Sequence, residues 1–191
     1  MEKLRSDLSR FIAEIYESER KVLVHGEGRI GARVMLVGEA PGEQETLQGR
    51  PFVGKAGKNL DEFLELAGID RSQLYVSNTV KFRPTRISDA GRTVNRPPTQ
   101  EEIRLFLPWL KQEIALVKPE CVVTLGNVPL KALYDRKCVI GDVHGTFLEA
   151  DGVRLYPMYH PASMIYNRSL REVYREDVRR LARWLQTGEM E

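Results

Sequence analysis

Cysteine is scarce in this chain of 191 residues, which contains only Cys121 and Cys138. Two thiols do not make a disulfide framework, and alone they cannot close a four-ligand zinc or iron–sulfur site. Cys121 lies in the apolar run CVVTLG, which favours a buried, inert thiol. The sequence therefore gives no support to a function built on cysteine chemistry.

Long apolar runs are also missing. No stretch approaches the roughly 20 apolar residues that a membrane span requires, and the N-terminal segment MEKLRSDLSRFIAEIYESERK is too charged for a signal peptide. We therefore expect a cytoplasmic protein without membrane contact. The N-terminal segment instead predicts an amphipathic helix, whose apolar stripe consists of Leu4, Leu8, Phe11, Ile12 and Ile15.

Net charge is only +2, but the basic residues are unevenly distributed. Residues 81–96 hold five basic residues and one acidic residue, in a loop that contains proline. Residues 168–183 hold six arginines and three acidic residues, a pattern typical of a solvated helix face. The basic loop is harder to explain without a partner, and it suggests a polyanion.

Four short apolar runs predict strands, and helical patterns lie between them. This alternation predicts an α/β fold, a three-layer α/β/α sandwich around a central, mainly parallel four-stranded sheet. We expect a single domain over residues 1–191, with an N-terminal helical extension (1–32) and a core (33–186). The predicted strands are RVMLVGE (33–39), LYVSNTV (74–80), CVVTLG (121–126) and VRLYPMY (153–159).

Two helix starts carry the pattern of a capping box, Thr99 with Glu102 and Ser169 with Glu172. Pro108 lies inside the first of these helices and is expected to kink or divide it. The segment 83–98 shows no regular pattern, and an irregular segment of that length is often functional or mobile.

The residues that follow the strands carry the chemistry. In an open α/β sheet, ligands bind where the strands end at their carboxyl edge. The first strand is followed by a segment with five glycines, GEAPGEQETLQGRPFVGKAG, the second by SNTVKFRP and the fourth by HPASM. We expect these three segments to form one site.

Glycine in the first segment lets the backbone approach a flat ligand closely. Glu39, Glu43 and Glu45 stand beside one aromatic residue, Phe52, which fits a planar polar ligand stacked on the ring and polarised at its edge. A glycine-rich phosphate loop is the alternative. The segment matches neither GxGxxG nor a P-loop, and three glutamates would repel a phosphate.

Asn78 and His160 complete the expected site. An asparagine at a strand end offers a donor and an acceptor that can read the edge of a heterocycle, although a turn or helix-cap role is more common. His160 suits acid–base or anion-stabilising work. The residues after it, Pro161, Ala162 and Ser163, would let a phosphate backbone come close.

The segments VGEAPGEQE, GRPFVGKAG, SNTVKFRP and YHPAS together resemble the uracil-DNA glycosylase superfamily, especially its family 4 branch, over residues 33–183. The resemblance implies the α/β/α fold. It also implies a monofunctional DNA repair enzyme whose partner is uracil-containing DNA. Such an enzyme cleaves the N-glycosidic bond of a nucleotide flipped out of the helix. A monomer is expected.

The resemblance also implies roles for single residues. Phe52 would stack on the base, Asn78 would pair with N3–H and O4 of uracil, and His160 would donate to O2 as negative charge develops on the leaving base. Further contacts to the substrate are expected from the first motif, at Gly38, Ala40, Pro41 and Gly42.

The group that activates water stays open at this point, because Ala40 stands where the most active branch has an aspartate. Glu39 is expected to act in catalysis or pocket organisation, and Glu45 to act in catalysis or to form the wall that rejects the methyl group of thymine. Met164 is expected to be an apolar wedge in the base stack. The residues predicted to contact DNA are Lys55, Lys81, Arg83, Pro161, Ser163 and Met164.

Family 4 relatives commonly bind a [4Fe–4S] cluster through four cysteines. This N-terminal region has none, and Phe82 stands where a cysteine is typical, with Phe106 or a neighbour at a second such place. We therefore predict no cluster and no metal ligands. Packing of Phe82 and Phe106 is expected to take over part of the structural role of the cluster.

Two other functions stay open. A non-catalytic protein that binds DNA or damaged bases is compatible with the same fold. An enzyme that acts on a small nucleoside or nucleotide is compatible with the aromatic ring and the glutamates. Within the favoured reading, uracil, hypoxanthine and xanthine all remain candidate bases.

Overall fold

Six strands form the central sheet in the computed structural model, which describes residues 1–189. Their spatial order is β1 (Glu27–Gly28), β3 (Tyr75–Asn78), β2 (Val34–Gly38), β6 (Cys121–Leu125), β8 (Val153–Met158) and β7 (Leu148–Ala150). The four inner strands are parallel and are the four predicted ones. The two edge strands pair antiparallel, and they escaped prediction because two or three residues carry no apolar pattern.

Helices cover both faces of this sheet, and a small hairpin of β4 (Thr85–Ile87) and β5 (Thr93–Asn95) stands apart from it. The hairpin lies inside the segment 83–98 that the sequence left irregular. The helices are α1 (Glu2–Ile15), α2 (Glu43–Gln48), α3 (Lys55–Leu66), α4 (Gln100–Val117), α5 (Asn127–Leu133), α6 (Ile140–Val143), α7 (Ser163–Tyr166) and α8 (Leu170–Thr187).

Side chains on the inner strands alternate between two buried clusters, as a sheet covered on both faces requires. Leu36 of β2 belongs to the cluster that contains Phe63 of α3 and Tyr174 of α8. Its neighbour Met35 belongs to the opposite cluster, which contains Leu110 of α4. The predicted three-layer α/β/α class is therefore confirmed, with six strands in place of four.

A third cluster ties α1 to the start of α4. Phe82 and Phe106 are buried with their ring centroids 5.6 Å apart in an edge-to-face arrangement, so the two residues pack against each other as the sequence predicted. Leu8 and Ile12 of α1 bury their side chains in the same cluster. This cluster anchors the N-terminal helix beside the turn that follows β3.

The capping box of Thr99 is present. The Thr99 hydroxyl accepts a bond from the Glu102 N–H at 3.1 Å, and the Glu102 carboxylate accepts one from the Thr99 N–H at 2.7 Å. The helix continues through Pro108 as one element, so this proline does not divide it, and the kink expected as the alternative stays a prediction.

The predicted capping box of Ser169 is also wrong. Ser169 already has helical backbone angles, with φ −64° and ψ −23°, so its hydroxyl does not point back over the first turn. The hydroxyl donates instead to the side chain of Asn167 at 2.7 Å, and Glu172 pairs with Arg175.

Along residues 1–189 we find no helix that combines the length and the apolar character needed to cross a membrane. Residues 190 and 191, the end of the predicted domain, lie outside the described range. The division into an extension (1–32) and a core (33–186) stays a prediction, although β1 of the extension pairs with the sheet.

Thr99, which caps α4, and Ser169, which does not cap α8, give a matched test of capping. We expect Thr99→Ala to lower the free energy of unfolding by about 1 kcal/mol, because α4 loses its N-cap. Ser169→Ala is expected to change it by less than about 0.5 kcal/mol, because an exposed hydroxyl is lost. Urea denaturation at pH 7 measures both values, and equal losses would contradict the assignment.

Candidate functional site

A cavity of about 600 Å³ lies at the carboxyl edge of the sheet, where β2, β3 and β8 end. This is the edge at which the sequence predicted a site. The three segments that follow those strands all reach it. Its lining includes Glu39, Ala40, Pro41, Gly42, Glu45, Phe52, Lys55, Asn78, Asn95, His160, Ile165 and Tyr166.

Phe52 is held in a backbone conformation that aromatic residues rarely adopt, with φ at +53°. The Arg71 guanidinium donates to the carbonyls of Phe52 at 3.0 Å and Pro51 at 2.9 Å, which fixes this turn. A Cβ at Gly57 would stand 1.9 Å from the Phe52 carbonyl oxygen, so glycine is required there. Strain of this kind persists where the surrounding structure enforces it, often at functional sites.

Asn78 ends β3 beside Gly38 of β2, and its side chain is only 3% exposed. A buried amide normally has a hydrogen-bond partner. Among residues 1–189, however, the bond that Lys81 donates to Asn78 goes to its backbone carbonyl, and none goes to its side-chain amide. Its amide is therefore available to a ligand in the cavity.

Gly38 was predicted to contact substrate, but it does not line the cavity. A Cβ at this position would stand 2.5 Å from both Asn78 Oδ1 and the ring of Phe52. The glycine therefore acts behind the cavity wall, where it lets the ring and the amide approach each other. The other residues predicted from this motif, Ala40, Pro41 and Gly42, do line the cavity.

His160 lies just after β8, with its ring centroid 5.9 Å from that of Phe52. The Ala162 N–H donates to His160 Nδ1 at 3.1 Å, so the neutral ring carries its proton on Nε2. Gly126 makes room for the histidine, since a Cβ there would stand 3.1 Å from the His160 Cβ. Burial lowers the pKa of His160 to about 4, although the Glu45 carboxylate acts in the opposite direction.

The two glutamates predicted as catalytic have different surroundings. Burial raises the pKa of Glu39, and no residue in the described range 1–189 bonds its carboxylate. Glu45 instead accepts three backbone N–H bonds, from Gly42 at 3.1 Å, Val53 at 2.9 Å and Gly54 at 2.7 Å. The geometry therefore favours Glu45 as an organiser of the cavity wall and leaves Glu39 as the free carboxyl group.

Three of the predicted DNA contacts are wrong because the side chains are buried. Lys81 is 2% exposed and is enclosed by an ion pair with Glu113. Met164 is 3% exposed and packs in the core between the sheet and α8, so it is not a wedge. Pro161 is buried as well, and its carbonyl accepts a bond from Asn59 at 3.2 Å.

The remaining predicted contacts lie near the cavity. Lys55 is exposed at its rim as the first residue of α3. Arg83 donates to Asn95 Oδ1 at 2.6 Å and to Glu43 at 3.3 Å, so it joins the hairpin to α2. Ser163 is half-buried and is not part of the lining, and its N–H donates to the His160 carbonyl at 2.8 Å.

Several lining residues escaped the sequence analysis, among them Asn95, Ile165 and Tyr166. Asn95 comes from β5, and only its place in a long polar segment hinted at a role. Ile165 and Tyr166 come from the short helix α7 and are 46% and 88% exposed. The apolar segment 164–166 was visible in the sequence directly after Ser163. Which of its side chains face outward depends on where α7 starts.

Four thiolate ligands are needed for the iron–sulfur cluster that the family resemblance implies. The chain has two cysteines, of which Cys121 is buried in β6, where burial raises its pKa to about 12. Within residues 1–189, no group of three or more histidine, cysteine or acidic side chains is arranged to hold a metal ion. The residues present therefore do not fit the cluster.

Comparison with known proteins points to one family. A family model described as the uracil DNA glycosylase superfamily matches residues 25–185. The chain is 36% identical to the type-4 uracil-DNA glycosylase of Saccharolobus solfataricus, over 85% of this chain and 76% of that one. It is 39% identical to the protein of the same name from Thermotoga maritima, over 83% of this chain and 81% of that one.

A solved structure shares the fold. The crystal structure of SMUG2 from Pedobacter heparinus has a TM-score of 0.52 and 13% sequence identity, over 82% of this chain and 76% of that one. At this identity the likeness supports the fold alone.

The imidazole of His160 offers a direct test of the geometry. An NMR titration is expected to give it a pKa of about 4, against an ordinary value of 6.5. Glu45→Gln is expected to lower this pKa further, because the carboxylate favours the protonated ring. Below pH 6.5 the unfolded chain takes up the proton first, so this group's contribution to stability falls as the pH drops from 6.5 towards 4.

The same spectra report the tautomer. Above pH 6 the proton is expected on Nε2, with Nδ1 unprotonated because it accepts the Ala162 N–H. A pKa at or above 6.5, or a proton on Nδ1, would contradict this arrangement.

Proposed function

Because the chain belongs to the uracil DNA glycosylase superfamily, we propose that it is a DNA repair enzyme that cleaves the N-glycosidic bond of uracil flipped out of DNA. The observation that carries this proposal is the free Asn78 amide in a cavity that also contains Phe52 and His160. The 600 Å³ cavity has room for a nucleotide with its sugar.

Base recognition follows from the chemistry of these three groups. The ring of Phe52 provides a flat apolar surface for the face of the base. The Asn78 amide offers an acceptor for N3–H and a donor for O4, a pair that uracil matches and cytosine reverses. A buried amide that is left unpaired by the wrong base carries a free-energy penalty, and this penalty is the source of discrimination.

Bond cleavage places negative charge on the base. As the C1′–N1 bond breaks, its electron pair stays on N1 and spreads to O2, while the sugar becomes cation-like. His160 is suited to donate from Nε2 to O2, because Nδ1 is occupied by the Ala162 N–H. A neutral donor that is already in place stabilises this charge without reorganisation.

Water completes the reaction by adding to C1′ and losing a proton. Glu39 is the carboxyl group we assign to that proton or to the cation-like sugar, because it faces the cavity without a protein partner among residues 1–189. Glu45 would keep the wall of the pocket in place beside the base, as its three backbone bonds suggest. Water as the nucleophile makes the enzyme monofunctional, so the DNA strand stays intact.

A second groove supports a path for the DNA backbone. It has a volume of about 650 Å³ and runs from Pro97, next to the cavity residue Arg96, along α4 and α5. Arg104, Lys131 and Arg136 line it with exposed side chains, and within residues 1–189 no carboxylate pairs with them. Unpaired basic side chains of this kind suit phosphate contacts.

The second basic segment, residues 168–183, differs from this groove because several of its arginines pair with glutamates. Arg171 pairs with Glu62, and Arg175 pairs with Glu172. This pairing agrees with an ordinary solvated helix face.

A monomeric, cytoplasmic enzyme remains our prediction.

Excision of uracil is the direct test of the proposed function. The protein is expected to convert uracil-containing oligonucleotides to abasic sites without strand cleavage. His160→Ala is expected to lower the single-turnover rate by about 10²–10³-fold, because the leaving base loses its donor. Leu66→Ala is the control, since Leu66 is exposed at the far end of α3, away from the cavity, and it is expected to retain the rate.

A panel of duplexes with uracil, hypoxanthine, xanthine and thymine mismatches separates the alternatives. Folded protein that binds uracil-DNA but forms no abasic sites would indicate a non-catalytic binding protein. Activity on free nucleosides, with no salt-dependent DNA binding, would indicate a small-molecule enzyme. Either result would overturn the proposal.

Tyr166 takes the place in DNA binding that the sequence had given to Met164. Its ring stands 88% exposed at the rim of the cavity, where bases next to the flipped nucleotide would pass. Tyr166→Ala is expected to lower kcat/KM on duplex DNA by about 5- to 100-fold, the value of one base–aromatic stack. Tyr166→Phe is expected to retain activity.

Leu66 provides the control for this measurement. It is 61% exposed at the far end of α3, away from the cavity. Leu66→Ala is expected to leave kcat/KM unchanged, and an equal loss for Leu66→Ala and Tyr166→Ala would count against a contact between Tyr166 and DNA.

A further inference from the structure

A buried ammonium group stands directly behind the amide that reads the base. Lys81 Nζ donates to Ser77 Oγ at 2.5 Å, to the Asn78 carbonyl at 2.8 Å and to Glu113 Oε2 at 2.6 Å. All three of its donors are therefore used, and the side chain is 2% exposed. Neither substrate nor DNA can reach this group.

Glu113 completes the network from α4. Glu113 Oε1 accepts a bond from the Tyr75 hydroxyl at 3.0 Å. Glu113 Oε2, which accepts from Lys81, also accepts a bond from Ser77 Oγ at 2.8 Å. Burial alone would raise the pKa of Glu113, but the nearby Lys81 and the two hydroxyls outweigh it and the pKa is lowered. The contacts of Glu113 therefore favour its carboxylate form inside the protein.

An ion pair at this depth needs an explanation other than stability. Removing two charges from water costs about as much as their attraction returns, so apolar residues of similar volume often stabilise a fold as well or better. Beyond its ion pair, Lys81 donates to Ser77 Oγ and to the Asn78 carbonyl, and the second of these bonds reaches the residue whose amide faces the cavity.

The peptide group that follows Asn78 is held on both edges. Its carbonyl accepts from Lys81, and its N–H, which belongs to Thr79, donates to the Gly38 carbonyl at 2.8 Å. The next N–H, from Val80, donates to the Glu39 carbonyl at 3.0 Å. The backbone on the C-terminal side of Asn78 therefore has little freedom to rotate.

The Asn78 side chain has no such support of its own, because its amide makes no hydrogen bond to residues 1–189. Any group that must stay free for a ligand has to take its orientation from packing and from its backbone. We propose that Lys81 is a positioning residue, which holds the Asn78 backbone so that the free amide faces the base. This inference rests on the proposed function.

Three variants separate positioning from stability. Lys81→Met and Glu113→Gln each leave one buried charge without its partner, so both are expected to unfold at lower urea concentration. The double variant Lys81→Met/Glu113→Gln removes both charges and is expected to recover stability. Only Glu113→Gln keeps the Lys81 donor on the Asn78 carbonyl.

Activity is expected to follow the Lys81 donor and not stability. In single-turnover assays under conditions where circular dichroism shows each variant folded, Lys81→Met and the double variant should lose about 10–100-fold in the rate of uracil excision. Their apparent affinity for the DNA should change by less than about 3-fold, because no DNA contact is lost. Glu113→Gln should excise uracil at nearly the rate of the unmodified protein.

If the ion pair had only a structural role, the excision rates of the variants would follow their stabilities. In that case the double variant would recover its rate together with its stability, and the two single variants would lose rate to a similar extent. That result would overturn the positioning role.

A readout without catalysis keeps this inference distinct from the proposed function. The side-chain NH₂ signals of Asn78 in NMR spectra are expected to broaden or shift in the double variant and to stay in place in Glu113→Gln. If the unmodified protein forms no abasic sites, the proposed function fails, and these signals still decide the role of Lys81. Unchanged signals in the double variant would overturn it.

Discussion

The close approach of Phe52 and Asn78 across Gly38 is the constraint on which the cavity depends. A single added carbon at Gly38 would stand 2.5 Å from both the ring and the amide oxygen. The ring is brought there by a strained turn that Arg71 fixes, and the amide by the register of β3 on β2. A flat surface and a hydrogen-bonding edge thus meet beside the same glycine.

Burial then sets the chemistry of the groups around that pair. It lowers the pKa of His160 to about 4, which keeps the ring neutral at physiological pH, and it raises the pKa of Glu39. The cavity therefore holds a neutral donor and a carboxyl group whose ionised form is disfavoured by burial. Where burial lowers the local dielectric constant, both groups act more strongly on developing charge than they would in solvent. The proposed glycosylase reaction needs both, one at the leaving base and one near the sugar.

Much of this was accessible from the sequence. Apolar runs located the four parallel strands, and the rule that ligands bind at their carboxyl edge brought Phe52, Asn78 and His160 to one cavity. The failures concern side-chain direction. Lys81 and Met164 follow the same motifs, but the turn after β3 and the start of α7 direct them inward. Such directions depend on three-dimensional packing, which residue order alone does not specify.

Soaking crystals of the protein with free uracil would show where the base binds. We expect the base to stack on the ring of Phe52, with N3–H and O4 bonded to the Asn78 amide and O2 about 3 Å from His160 Nε2. Uracil bound elsewhere, or bound in the cavity without contact to Asn78 and His160, would contradict it.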